Sequence, residues 1–261
     1  MPEPMTVAEV LVATERPPAV GRWFYIGVAL FMIAFNAVAF APAIVDPSGR
    51  NVPLPFTPLV MAHSIVSVAW LVLFLVQTTL VATGRRDVHR RLGIAGAVLT
   101  VAFVVIGCFA VVAEARRGFD LGGDISRLPA PPGVDPVAGS VGILFFFVTF
   151  AILAGAAFWY RRRPSIHKRL MLLALLGGLT PTPLTHVVGH WTMLHPWGTP
   201  LFVVSFLIVL SFGAIHDRVT DGRIHPVSVW GALLVFLWTV LFNLAIVPSA
   251  AWDRFARWLV Q

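Results

Sequence analysis

The residues with the most chemistry to offer are histidines set in apolar sequence. His63, His186 and His190, together with Glu114, fall inside long hydrophobic runs. Ionisable groups there are costly, so each is a candidate for function. His186 and His190 are spaced i, i+4 and share a face if the segment is helical. Imidazoles from two spans can hold a b-type haem axially. With a carboxylate they can hold a copper, zinc or iron ion. A histidine pair without the glutamate of HExxH has no metalloprotease meaning. Two other readings stand beside this one: hydrogen bonding across helices, and a proton or solute path.

Depth supports grouping these residues. At 1.5 Å of helix per residue, Arg85 to His63 is about 33 Å and Arg91 to Glu114 about 35 Å. Lys168 to His186 and to His190 is about 27 and 33 Å. All four groups are therefore expected near one edge of the hydrocarbon. His63, Trp70 and Gln77 recur every seven residues and predict one inward stripe on a helix. Pro181 and Pro183 precede His186 and predict a broken helix, which is tolerated at membrane depth where it is buried or lines a cavity.

A second set of histidines sits in basic turns. The turns read Arg85-Arg-Asp-Val-His89-Arg-Arg-Leu, Arg162-Arg-Pro-Ser-Ile-His167-Lys-Arg-Leu and Asp221-Gly-Arg-Ile-His225-Pro. Each places a histidine after a β-branched residue at the start of an outgoing helix. The pattern suggests one helix followed by three related hairpins, or convergence on a good turn. His89, His167 and His225 are expected to bond free backbone groups or anionic lipid at the surface, with a proton or ligand role as the alternative.

The elements that must position these groups are membrane helices. The chain is 58% hydrophobic and 12% charged over 261 residues, with a mean hydropathy of +0.85. A soluble domain carries about twice that share of charge. Strand alternation is absent, so a β-barrel is not expected. The fold class is all-α and polytopic, with seven transmembrane helices. They run about Trp23–Val45, Thr57–Ala82, His89–Ala113, Val137–Tyr160, His167–His190, Pro200–Ile215 and Pro226–Val247. Residues 1–20 read as an N-terminal tail and 21–247 as the transmembrane domain. Residues 248–261 read as a C-terminal amphipathic helix, with Trp252, Phe255, Ala256 and Leu259 on one face of an interfacial segment.

Charge sets the orientation. The side that holds the N-terminus and the three basic turns carries 13 of the 19 Lys and Arg residues. This places it in the cytoplasm and the C-terminus outside, in a bacterial inner membrane. The net charge of +7 is accounted for by these turns, and no nucleic-acid platform accompanies it. One cysteine, Cys108, excludes an intrachain disulfide and a CxxC redox motif. The only lysine, Lys168, lies in a turn, which excludes a retinal Schiff base within the bundle.

His63, Gln77, His89-Arg-Arg-Leu-Gly93 and His167-Lys-Arg-Leu-Met171 together resemble a family of uncharacterised bacterial multi-pass integral membrane proteins. In that family an intramembrane histidine is followed by an HR-x-x-G turn, and later by a histidine-basic-x-x-Met turn. The resemblance covers about residues 57–190 and implies no reaction. More loosely, the chain is similar to b-type cytochromes and oxidase-assembly helical bundles, without their paired histidines at both membrane depths.

The leading expectation is a membrane protein that binds haem b or a transition metal near its outer face, in electron transfer or oxidase assembly. His63 and His190 would be ligands, with His186 and Glu114 alternative or supporting. A proton-coupled permease with its site at the broken helix is the second expectation. A non-catalytic scaffold is the third. The lipid bilayer is the expected partner, with a membrane-protein partner or a homo-oligomer beside it.

Overall fold

A computed structural model describes residues 19–45, 56–119, 134–191 and 198–261. Most of the N-terminal tail expected over 1–20 lies outside the described residues, as do 46–55, 120–133 and 192–197. Within them the chain is helical, without a strand. Ten α-helices follow in order: α1 Ala19–Val45, α2 Pro58–Ala82, α3 Arg86–Arg116, α4 Pro136–Val141, α5 Leu144–Trp159, α6 Pro164–Leu173, α7 Pro181–Trp191, α8 Gly198–Asp221, α9 Pro226–Leu241 and α10 Ala250–Val260. π-Helical turns over Ala174–Leu179 and Phe242–Ile246 follow α6 and α9.

The helix boundaries follow from capping chemistry. Pro58, Pro136 and Pro226 stand just inside three helix starts, where a missing N–H costs nothing. The residue before each proline accepts bonds from the first free N–H groups. Thr57 accepts from Val60, Asp135 from Val137 and Ala138, and the His225 ring from Val227. At the other ends, Gly84 and Gly118 have φ of 82° and 80° and close α2 and α3. In each case the next N–H bonds back five residues, Arg85 to Leu80 and Phe119 to Glu114.

Among the described residues, six helices are long and apolar enough to cross a bilayer: 23–41, 58–82, 86–116, 137–159, 199–221 and 226–246. The seventh expected span is a bent pair, Pro164–Leu179 and Pro181–Val188, that meets at 40°. The bend falls where the sequence predicts a break. Counting the pair as one span gives up to seven.

The core is held by close packing, since lipid removes the hydrophobic drive between helices. Phe150, Met32, Leu175, Leu176 and Phe206 are at its centre. Glycines set the closest approaches. A Cβ at Gly178 would stand 2.6 Å from Phe150 Cβ and 2.9 Å from its Cα, and one at Gly177 would stand 2.7 Å from Val235. The bend between α6 and α7 is therefore filled by α5 and α9. The Ala174–Gly178 stretch is buried throughout.

α10 is the helix of the C-terminal segment, and its Trp252, Ala256 and Leu259 dock on protein. Ala256 is fully buried with Ala115, Ala138 and Val141. Trp252 Nε1 donates to the Ala138 carbonyl at 2.9 Å, and Arg257 pairs with Asp135 at 2.9 Å. Phe255 and Trp258 remain exposed beside it.

Candidate functional site

Trp70 and Gln77 of the α2 stripe bond across to α3, whereas His63 does not. At one end, Thr57 Oγ1 donates to Glu114 Oε1 at 3.0 Å. Midway, Trp70 Nε1 donates to Thr100 Oγ1 at 3.1 Å, and Thr100 passes its own proton to the Gly96 carbonyl at 2.8 Å. At the arginine-rich end, Gln77 meets His89. In the amide orientation that its neighbours satisfy, the nitrogen lies 2.6 Å from His89 Nδ1 and the oxygen accepts from the Gly93 N–H at 3.2 Å.

The residues expected at the outer edge have separate surroundings. Glu114 is fully buried and held by Arg117, whose Nη1 donates to both carboxylate oxygens at 2.9 and 3.0 Å. His63 is half-buried between the rings of Phe103 and Phe147, each 5.6 Å away. Its Nδ1 is buried without a hydrogen-bond partner, and its Nε2 lies 3.4 Å from Ser67 Oγ. His186 is buried on α7, with Nδ1 3.2 Å from the Thr182 carbonyl and its ring 4.7 Å from Phe40. His190 is in α7, and its side chain lies outside the described residues. Among the described residues no three His, Cys, Asp or Glu side chains group closely enough to hold a metal ion.

The three turn histidines have three different roles. His225 caps α9 through Nδ1, which accepts from the Val227 N–H at 3.1 Å. Burial and the nearby Arg169 charge hold its pKa below the usual histidine value. His167 and His89 instead meet each other. Their ring centroids are 6.4 Å apart with the planes at 73°. His167 Nδ1 donates to the Ala157 carbonyl at 2.8 Å, which leaves Nε2 with its lone pair. His89 Nδ1 accepts from the Gln77 amide, which puts that ring's proton on Nε2, whereas His167 Nε2 keeps its lone pair. One turn beyond His89, Gly93 borders open space, where an added Cβ would meet nothing within 4 Å.

The turns around this pair are strongly positive. Arg85, Arg86, Arg90, Arg91, Arg161, Arg162 and Arg163 form no ion pair among the described residues, and Asp87 is the only acid in either turn. In sequence His89 and His167 occupy alike positions in two basic turns. Their pairing depends on how two hairpins pack, and no local spacing reports it.

A second polar cluster ties four helices together at the same end. Buried Arg169 on α6 donates to Asp217 on α8 through Nε at 3.0 Å and Nη2 at 2.6 Å. It also reaches Asp221 at 3.0 Å and the Ser165 carbonyl at 2.7 Å. Asp217 accepts from Ser228 Oγ on α9 at 2.6 Å and from the His225 N–H at 3.2 Å. His216 Nδ1 lies 3.5 Å from Asp217, with its ring stacked near Phe24 of α1 at 4.3 Å. Each donor of this guanidinium has a partner, so the cluster reads as a clamp. Neither Asp217 nor His216 belongs to a motif in the sequence. Their positions near the end of an apolar run were the available signal.

The chain matches no family model, no curated protein and no solved structure.

Proposed function

We propose that this multi-pass membrane protein binds haem b through His89 and His167 at the cytoplasmic ends of α3 and α6, and serves one-electron transfer there. The reading keeps the expected cofactor and moves it from the outer face to the basic one. The observation that carries it is the 6.4 Å spacing of two imidazoles whose Nδ1 atoms are both engaged. His89 and His167 would hold the iron through one ring nitrogen each, across the 6.4 Å between their rings. Ligating histidines characteristically give the second ring nitrogen to a carbonyl or similar acceptor, as His167 does to Ala157.

Charge selects among cofactors. Seven arginines in the flanking turns, none in an ion pair among the described residues, disfavour a bare divalent cation. A haem brings two propionates, which suit arginine forks. The open space at Gly93 leaves room for a flat group on the His89 face. Ligation through His89 Nε2 would require Gln77 to turn its oxygen to Nδ1–H and give up the bond from the Gly93 N–H. When bound, haem supplies reversible iron oxidation and reduction. The chain's residues orient the rings, fix the tautomers and neutralise the propionates. The close-packed bend at Gly177 and Gly178 lends the permease reading no support.

Absorption spectra and pyridine haemochrome assay of the detergent-purified chain test this. One haem per chain with a low-spin spectrum is the expected result. Protein that stays colourless after haemin addition overturns the reading.

A further inference from the structure

The lipid-facing surface of the α2–α3 hairpin carries a shallow apolar groove. Ala69 and Val76 of α2 and Ala95, Val98 and Ala102 of α3 line it, with Leu92 at its basic end. Val76 and Val98 are exposed on its rims, while the three alanines leave the furrow between them. From Leu92 to Ala102 the groove runs about 15 Å along α3. That is about half of a hydrocarbon core roughly 30 Å thick. The furrow therefore spans one leaflet, from the basic end to the middle of the membrane.

The foot of the groove is positive. Arg91 shares the α3 face of Ala95, Val98 and Ala102, at i+4, i+7 and i+11 spacing. Arg91 is exposed, and neither it nor Arg85 in the adjoining turn makes an ion pair among the described residues. A transmembrane helix from another chain would need a contact along the full bilayer thickness. A groove one leaflet deep with cations at its mouth fits a single lipid better.

We infer that this groove is a binding site for an anionic phospholipid of the basic-side leaflet, with its phosphate at Arg91 and Arg85 and one acyl chain along Ala95 and Ala102. Basic pockets at the ends of membrane helices recognise anionic headgroups by charge, and the furrow adds contact along the chain. The site uses neither His89 nor His167, and of the seven turn arginines it takes Arg85 and Arg91 and leaves the other five to the haem propionates.

Thermal unfolding in detergent, with phosphatidylglycerol or phosphatidylcholine of matched acyl chains added, tests the inference. The wild-type chain should be stabilised more by phosphatidylglycerol, by mass action on the folded state. Inorganic phosphate at the same concentration should not reproduce the shift. Arg85→Gln with Arg91→Gln should abolish the preference for phosphatidylglycerol. Ala95→Leu, which fills the furrow and keeps every charge, should reduce it as well. Equal stabilisation by both lipids overturns the proposal. So does an unchanged preference in Ala95→Leu, which would mean diffuse surface attraction, or a wild-type chain that is dimeric and becomes monomeric in Ala95→Leu.

Discussion

Arg169 and Asp217 form a buried ion pair that joins α6 to α8, with contacts of 3.0 and 2.6 Å and both side chains under 5% exposed. Ser228 and the His225 N–H complete the shell around Asp217 and bring in α9. Removing one partner leaves the other charge buried. Arg169→Ala or Asp217→Ala should therefore cost about 3–5 kcal/mol, a range typical of broken buried pairs. Thermal unfolding of each variant in detergent checks this. A melting temperature within error of wild type would show that the cluster is not a clamp.

Trp70 and Thr100 give a smaller, separable effect. Trp70→Phe keeps an aromatic ring beside Phe74 and Phe150 but removes the Nε1 donor. Interhelical hydrogen bonds in membranes contribute about 0.6 kcal/mol on average. A double-mutant cycle with Thr100→Val should return a coupling of about that size. A coupling near zero would mean that packing alone sets the α2–α3 register.

Two glycines should differ in how far they can be rescued. A Cβ at Gly107 would stand 2.2 Å from the Phe147 ring edge, and one at Gly178 would meet the Phe150 Cβ and Cα. Both alanine variants should lose about 1–3 kcal/mol by overpacking. Phe147→Leu should restore much of the loss in Gly107→Ala, because the obstacle is a movable ring. No substitution at position 150 should restore Gly178→Ala, because the obstacle includes backbone. Stability measurements on the two pairs distinguish these outcomes.

His225 gives the fold a dependence on pH. Its neutral ring accepts the Val227 N–H, and burial and Arg169 lower its pKa in the folded state. A histidine whose pKa falls on folding contributes stability that is present above its unfolded value, near 6.5, and lost as pH drops through and below that value. The wild-type melting temperature should fall between about pH 7.5 and pH 5.5 by more than that of His225→Asn, since asparagine caps without titrating in this range. Parallel pH profiles for the two proteins would remove His225 from this role.

Gln77 tests how the histidine pair is tuned. A carboxylate at this position accepts from His89 Nδ1–H and makes the ring a stronger donor to a metal. Gln77→Glu should retain haem with a lower midpoint potential, and Gln77→Leu should weaken haem binding. Redox titration of the two variants reads both effects. Identical potentials in wild type and Gln77→Glu would place Gln77 outside the coordination shell.

The membrane helices and the break near Pro181 were legible in sequence because their signals are local. Apolar runs, arginine turns and the Pro181–Pro183 pair each act within a few residues. The inward stripe of Trp70 and Gln77 was legible for the same reason, since a spacing of seven keeps side chains on one face. The partner of each polar residue was not. Glu114 is held by Arg117 and by Thr57, and Thr57 lies 57 positions away. His89 and His167 are 78 positions apart and looked alike, so nothing in either turn indicates that the rings meet. Asp217 needed Arg169 and Ser228, from two other helices, before its role was apparent.

The most direct measurement is haem stoichiometry in three purified variants, His89→Ala, His167→Ala and His63→Ala, each checked for folding by thermal unfolding. The account predicts one haem per chain in wild type and in His63→Ala, and loss of the low-spin Soret and α bands in the other two. Retention of a wild-type spectrum in His89→Ala and His167→Ala, with loss in His63→Ala, would contradict it and return the cofactor to the outer face.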